Sequence, residues 1–248
     1  MNKLYVFFCI FSICFFSCDF PNISSSNVEI GLPPKYVIFT FDDGPNHHNK
    51  TTERLSDVLF KYQIKGLFCL LGVNVEKYPE IVRRIYNDGH IIVNHGYSDK
   101  IAYFMNDNEF RENLISGNRA ITEALGFEIY PKLYRPQGGI YSHAQARIIN
   151  EEGFSIVPYT IGSVMEPYST CKTKERVVNN IIKGVKKENG GVILLHDMRD
   201  GYRRQIIELQ KEPNGAYNRS WIPEAVEKII IALLNKGFII NETFDFWL

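Results

Sequence analysis

The sequence has no excess of charge of either sign, because 28 Lys and Arg residues balance 28 Asp and Glu residues. Nucleic-acid-binding domains concentrate positive charge for the phosphate backbone, so this balance gives no support to that class of partner. Hydrophobic residues make up 45% of the 248 residues, which excludes a disordered chain. A chain of this length and composition can form one domain with a sizeable core.

Cysteine is also scarce, and none of the five cysteines forms a CxxC pair or has zinc-finger spacing. Three of them lie in the first 18 residues, so only Cys69 and Cys171 belong to the body of the chain. Cys69 lies in the apolar run Leu67–Leu71 and is expected to be a buried small hydrophobic residue. The sequence leaves open whether Cys69 and Cys171 form a disulfide.

The N-terminal apolar run is too short to cross a membrane. Leu4–Phe16 runs for about 13 residues after the basic start Met1–Lys3, which is typical of the core of a signal peptide. The run ends with the letters FFSC at Cys18, which resembles a bacterial lipobox. We therefore predict a lipoprotein signal peptide over residues 1–18, with lipid on Cys18 and an extracytoplasmic, membrane-anchored location in a bacterial cell envelope. The alternative is an ordinary secretory signal cut nearby.

After a polar segment at residues 19–34, predicted to be a flexible tether, β-type runs alternate with helical patterns. The predicted strands are Tyr36–Phe41, Gly66–Leu71, Ile91–Val93, Lys132–Tyr134, Phe154–Ile161, Val192–Leu195 and Phe238–Ile240. The predicted helices are Thr51–Tyr62, Pro79–Asp88, Glu109–Leu125, His143–Glu152, Lys174–Lys187 and Pro223–Lys236. Residues 199–220 are predicted to be a long polar loop. This alternation predicts an α/β fold, a single-domain, distorted (β/α)7-type barrel over residues 35–248.

Polar side chains follow several of the predicted strands. They are Asp42 and Asp43 after the first strand, His95 and Asp99 after the third, Arg135 after the fourth, and His196 and Asp197 after the sixth. Because the chemistry of an α/β barrel lies at the carboxyl ends of its strands, we expect these side chains to share one pocket. Two carboxylates and a histidine can hold a divalent metal, and a further carboxylate and histidine can act as base and acid.

Four segments in order resemble the motifs of the polysaccharide deacetylase family, the NodB-homology domain of carbohydrate esterase family 4. They are Thr40–Pro45 (TFDDGP), Gly89–His95, Tyr134–Gly139 (YRPQGG) and Leu194–Asp197 (LLHD), and the resemblance extends from residue 35 to about 244. It implies a metal-dependent hydrolase that removes N-acetyl groups from the sugars of a peptidoglycan-like or chitin-like polysaccharide. The implied cofactor is a divalent metal, Zn²⁺ first and Co²⁺ or Mn²⁺ as alternatives, in a monomeric protein.

The resemblance also implies a role for each matching residue. Asp43 and His95 match metal ligands, Asp42 matches the general base, His196 matches the general acid, and Arg135 matches the residue that orients the catalytic Asp.

Two departures from the family pattern bear on this assignment. Asp99 stands where the family has a second His, so the predicted metal site is Asp43, His95 and Asp99, a chemically sound but harder ligand set. His47 or His48 could approach the metal instead. The fourth motif, Tyr159–Glu166 here, lacks the family's Trp and its Asp, so the acidic support expected for Arg135 is missing unless Glu166 supplies it.

Two alternatives stay open beside the deacetylase hypothesis. The departures leave room for a catalytically impaired deacetylase scaffold that binds glycan. An amide or ester hydrolase that acts on a small non-sugar substrate would share the same chemistry. Trp221 could stack on a sugar ring, but core packing is the expected role.

Overall fold

The computed structural model describes residues 35–163 and 165–240. The predicted signal peptide, the lipid site at Cys18 and the tether lie outside these residues, as do residues 241–248. Within the described part of the chain, no helix combines the length and the apolar character that crossing a membrane requires.

Seven parallel strands form one sheet in the described residues, and all seven were predicted. They are β1 (Tyr36–Asp42), β2 (Leu67–Leu70), β3 (Ile91–Asn94), β4 (Leu133–Tyr134), β5 (Ser155–Ile156), β6 (Gly191–His196) and β7 (Ile239–Ile240). The strands lie in the order β5-β4-β3-β2-β1-β6, and β7 pairs with the start of β1. β1 and β2 are apolar and buried along almost their whole length, as expected of parallel strands covered on both faces.

The sheet closes into a ring through a single bridge between Ile161 and Ile193. The predicted strand Phe154–Ile161 is therefore too long, since regular pairing in β5 ends at Ile156. Beyond it, the carbonyl oxygens of Val157 and Pro158 accept hydrogen bonds from the guanidinium of Arg135 instead of a neighbouring strand. This short closure makes the barrel a distorted one, as the sequence predicts.

All six predicted helices are present, and two further helices were not predicted. The eight in the described residues are α1 (Thr51–Lys61), α2 (Gly72–Lys77), α3 (Pro79–Asn87), α4 (Asp107–Leu125), α5 (His143–Glu151), α6 (Lys174–Glu188), α7 (Tyr202–Lys211) and α8 (Ile222–Leu234). The prediction of a long polar loop over residues 199–220 is wrong, because α7 lies inside it. Gln205 is the one buried residue of α7, whereas Ile206 and Ile207 are about half exposed, so the apolar residues of this helix do not mark its buried face.

The largest hydrophobic cluster packs β1 and β6 against α1, α6 and α8. Cys69 is fully buried among the inward-facing residues of the sheet, as predicted. Cys69 and Cys171 are both free, so the disulfide that the sequence left open is not formed.

His90 connects α3 to the sheet as a buried, neutral imidazole. Its Nδ1 accepts the Gly66 N–H at 3.2 Å, so the ring proton is on Nε2, which lies 2.9 Å from Ser56 Oγ. The Ser56 hydroxyl in turn donates to Asp88 Oδ2 at 2.6 Å. Burial, helped by the charge of Lys65, lowers the pKa of His90 from 6.5 to about 4. A second ring proton would displace the Gly66 hydrogen bond.

We expect His90 to make folding sensitive to acid. Because its pKa is lower in the folded than in the unfolded protein, its contribution is complete above pH 6.5 and is lost as the pH falls towards 4. The free energy of unfolding should lose about 3 kcal/mol from this group over that interval. Denaturant titrations at pH 7.5 and 4.5 should show that His90→Gln removes this part of the pH dependence. His143→Gln, at the exposed start of α5, should keep this pH dependence. An equal change in the free energy of unfolding between pH 7.5 and 4.5 in all three proteins would contradict the assignment.

Candidate active site

One cavity of about 460 Å³ lies at the carboxyl ends of the strands, and every predicted site residue lines it. These residues are Asp42, Asp43, His95, Asp99, Arg135 and His196. They meet because β1, β3, β4 and β6 are parallel and each ends at, or just before, one of them. Asp197, also expected in the pocket, instead lies fully buried behind it, where its carboxylate accepts from the Thr52 hydroxyl.

Arg135 fixes the position of Asp42. Its guanidinium is buried, and Nη1 donates to Asp42 Oδ1 at 2.7 Å and to Thr40 Oγ1 at 2.6 Å. Nε and Nη2 donate to the carbonyl oxygens of residues 157 and 158 at 3.2 and 2.9 Å. Burial lowers the pKa of Arg135, but the charge and hydrogen bond of Asp42, with Cys69 and Tyr159, together outweigh burial, so the pKa is raised and the guanidinium stays charged. Arg135 therefore holds Asp42 Oδ1, whereas Asp42 Oδ2 makes no hydrogen bond to Arg135 and can contact a ligand in the cavity.

His95 presents a lone pair to two carboxylates. Its Nδ1 lies 2.7 Å from the carbonyl oxygen of Arg135, which can only accept, so Nδ1 carries the proton of the neutral ring. Nε2 then faces Asp43 Oδ1 at 3.5 Å and Asp42 Oδ2 at 3.7 Å. Two ligands bound about 2.0–2.1 Å from a tetrahedral cation are about 3.4 Å apart, so the Nε2–Oδ1 separation fits a shared divalent metal.

Asp43 is held in place by its backbone. It adopts a left-handed conformation with φ 71°, which Asp tolerates better than most residues, and its carbonyl oxygen accepts from Asn74 Nδ2 at 2.7 Å. Burial raises the pKa of Asp43, but the protonated forms of His95 and His196, together with the Asp200 N–H, outweigh it, so the pKa lies below its usual value. Asp43 is thus an anion that faces His95.

Asp99 lies on the rim of the cavity rather than beside the other two predicted ligands. Its side chain is exposed, and Oδ2 accepts the Gly201 N–H at 3.3 Å, just before α7. Residues 35–163 and 165–240 contain no group of three His, Cys, Asp or Glu side chains already placed to hold a metal ion. Metal ligation by Asp99 stays a prediction. His47 stacks on Tyr78, and neither it nor His48 lines the cavity.

Glu166 supports His196, so it does not supply the acidic support for Arg135 that the sequence left open. His196 Nδ1 lies 2.6 Å from Glu166 Oε2, and Glu166 is 1% exposed. The other carboxylate oxygen forms an ion pair with the fully buried Arg219. Nε2 of His196 has no protein partner among the described residues and belongs to a ring that lines the cavity. Arg135 has backbone carbonyl partners in place of the missing acidic residue.

Arg219 is the component of the site that the sequence did not reveal. Besides Glu166, it binds the carbonyl oxygen of His196 through Nε at 3.1 Å and Nη2 at 3.0 Å. Its guanidinium carbon lies 4.7 Å from the centroid of the Trp221 ring, and Trp221 is buried, which agrees with the packing role expected for it. Arg219 matches none of the quoted motifs, and a single Arg in a polar stretch carries no other signal.

Comparison with known proteins gives consistent results. A family model described as Polysaccharide deacetylase matches residues 30–157. A peptidoglycan-N-acetylglucosamine deacetylase from Bacillus cereus is 31% identical over 201 residues, which are 81% of this chain. The alignment spans 64% of that relative's length.

Solved structures share the fold. A peptidoglycan N-acetylglucosamine deacetylase in complex with 4-naphthalen-1-yl-N-oxidanyl-benzamide matches with a TM-score of 0.67 and 31% identity, over 84% of this chain and 86% of that one. A family 4 acetyl xylan esterase from Clostridium thermocellum, in complex with a cobalt ion, matches with a TM-score of 0.63 and 29% identity, over 83% and 87%.

Proposed function

Because this chain belongs to the polysaccharide deacetylase family, we propose that it is a metal-dependent hydrolase that removes N-acetyl groups from the sugars of a polysaccharide. The observation that carries the proposal is the meeting of three pairs in one cavity. They are Asp42 with Arg135, Asp43 with His95, and His196 with Glu166. The relatives named as peptidoglycan and chitooligosaccharide deacetylases support an N-acetylated glycan as the substrate.

Asp43 and His95 would hold the metal, with Asp99 proposed as a third ligand from the rim. A bound divalent cation polarises the acetyl carbonyl and lowers the pKa of a water molecule. Nitrogen and oxygen ligands are those that Zn²⁺ accepts, and Co²⁺ or Mn²⁺ are the alternatives. The carbonyl oxygen of Arg135 fixes the tautomer of His95, so Nε2 keeps its lone pair for the cation.

Asp42 is the proposed general base. Arg135 occupies Oδ1, so Oδ2 takes the proton from the water that attacks the acetyl carbon. The buried guanidinium prevents the carboxylate from rotating, and this keeps Oδ2 beside the reaction centre. Proton transfer by a positioned side chain typically contributes about 10²–10⁴-fold to the rate.

His196 is the proposed general acid. Glu166 binds Nδ1, so the ring directs its second proton, on Nε2, towards the leaving amine. Glu166 also offsets the positive charge of the ring, and the ion pair with Arg219 holds Glu166 in place. The fourth-motif departure thus supplies an acidic partner to the histidine, which favours an enzyme over the glycan-binding alternative.

Acetate release from N-acetylated oligosaccharides tests the proposed function. The protein loaded with Zn²⁺, Co²⁺ or Mn²⁺ should release acetate, and the same protein after treatment with a chelator should not. His95→Ala should lose the metal, measured by elemental analysis, while Asp99→Asn should weaken metal binding if Asp99 is a ligand. A protein that binds glycan without metal and never releases acetate would support the binding module instead.

The location of the chain stays a separate proposal. Lipid on Cys18 would place the domain outside the cytoplasm, where cell-wall glycan is accessible. Release of the protein from a membrane fraction by salt alone, without detergent, would argue against this anchor. The predicted monomeric state also stays a prediction.

A further inference from the structure

Arg199 is a cation on the wall of the cavity that the proposed reaction does not use. It lies three residues after His196 and is half-buried. Its guanidinium carbon is 4.7 Å from the centroid of the Tyr168 ring and 4.7 Å from that of Tyr217. Tyr217 is buried and donates its hydroxyl to Asp200 Oδ2 at 2.5 Å, so at least one of these rings is fixed. The structure therefore holds the Arg199 head group in a defined place.

The hydrogen-bond donors of Arg199 have no partner among residues 35–163 and 165–240. Its side chain makes no hydrogen bond and no ion pair with any residue in the described part of the chain. Stacking uses the face of the planar guanidinium, whereas its N–H groups point outward in the plane and can bind a carboxylate in a bidentate manner. Arg135, in the same cavity, differs because Asp42, Thr40 and two carbonyl oxygens use its donors.

Glu166 and Asp200 also line the cavity, and both have other partners and form no ion pair with Arg199. Glu166 binds His196 and Arg219, and Asp200 accepts from Tyr217 and pairs with Arg204 at 3.4 Å. Arg199 lines the cavity and is half-buried, so its N–H groups are accessible to a ligand that enters there. An anionic group of a ligand that enters the cavity is a suitable partner for these donors.

We propose that Arg199 binds a carboxylate of the glycan, so that the protein selects acidic over neutral N-acetylated polysaccharides. This inference rests on the proposed function, because Arg199 and the proposed acid His196 line the same cavity. The carboxylate can come from a lactyl ether on an amino sugar or from a uronic acid, and both present the same planar group. A charge-assisted hydrogen bond of this kind changes binding by about 10- to 100-fold.

Matched oligosaccharides test the inference. One set alternates N-acetylglucosamine with N-acetylmuramic acid, a second is the same set with its lactyl carboxylates converted to amides, and a third alternates N-acetylglucosamine with glucuronic acid. The metal-loaded protein should show a kcat/KM for acetate release about 10- to 100-fold higher on an acidic set than on the amide set. The acidic set that shows this preference identifies the source of the carboxylate.

Arg199→Gln should bring the ratio of acidic to neutral kcat/KM close to one, and Arg199→Lys should retain part of it. Arg203→Gln is the matched control, because Arg203 also lies over a tyrosine ring, 5.8 Å from that of Tyr202, but is exposed and does not line the cavity. Its ratio should equal that of the wild type. The same ratio in wild type and Arg199→Gln would overturn the inference while leaving the deacetylase intact.

Calorimetric titration of the same oligosaccharides separates the two proposals. If the wild type releases no acetate from any set, the proposed function fails. Arg199 would still be supported if the wild type binds an acidic set about 10-fold more tightly than the amide set and Arg199→Gln does not. Equal affinities for the acidic and amide sets would overturn the inference.

Discussion

Asp42→Asn is expected to lower kcat for acetate release by about 10²–10⁴-fold. The amide oxygen of Asn can still accept the hydrogen bond from Arg135 Nη1, which holds Oδ1 at 2.7 Å in the wild type. The substitution removes the proton acceptor at Oδ2, so the side chain keeps its position but can no longer take a proton from water. The expected signature is a large fall in kcat with a small change in KM.

Steady-state kinetics on the metal-loaded protein, with metal analysis and a thermal melt of each variant, check this expectation. Asp107→Asn, at an exposed position in the first turn of α4, is the matched control and should keep the wild-type kcat. Unchanged acetate release by Asp42→Asn would refute its role as base. Loss of the metal from this variant would instead identify Asp42 as a ligand.

Arg219→Met is expected to lower the free energy of unfolding by about 3–5 kcal/mol, because removal of one member of a buried ion pair leaves the other charge uncompensated. Arg219 is fully buried, and its partner Glu166 is 1% exposed. Met is unbranched and flexible, so it fills much of the space of the side chain without supplying charge. The variant also loses the hydrogen bonds to the carbonyl oxygen of His196, so acetate release should fall as well.

Denaturant titration measures this loss in the free energy of unfolding, and a double-mutant cycle shows how much of it comes from the pair of Arg219 and Glu166. Because Glu166→Gln removes the charge that Arg219→Met leaves behind, the double variant should lose less than the sum of the single variants. Arg176→Met, an exposed position on α6, is the control and should change stability by less than about 0.5 kcal/mol. A loss in Arg219→Met that is no larger than in this control would contradict the assignment.

The sequence was sufficient wherever local pattern and topology determine the outcome. Asp42, His95, Arg135 and His196 could be placed in one cavity because each stands at or just after the end of a parallel strand. The regular alternation of strands and helices likewise gave the barrel. Neither inference requires knowledge of a side-chain contact, because strand direction alone brings these residues to the same edge of the sheet.

The remaining features depend on contacts that leave no local pattern. Arg219 lies 23 residues beyond His196 and reaches back to it from a stretch with no motif. Glu166 begins a short 3-10 turn whose orientation decides whether it meets His196 or Arg135. In α7 the buried residue is Gln205, whereas Ile206 and Ile207 are about half exposed, so its apolar residues do not mark its buried face. The expectation for Asp99 was drawn from a family position, whereas its carboxylate bonds to Gly201.

Arg135 serves the two halves of the metal and base site through different parts of the same residue. Its side chain holds Asp42, whereas its peptide carbonyl holds the ring of His95. Every amino acid has that carbonyl, so replacement at position 135 frees the carboxylate and leaves the imidazole oriented. In a variant of position 135 that still folds, loss of activity with full metal content is therefore the outcome that this arrangement produces.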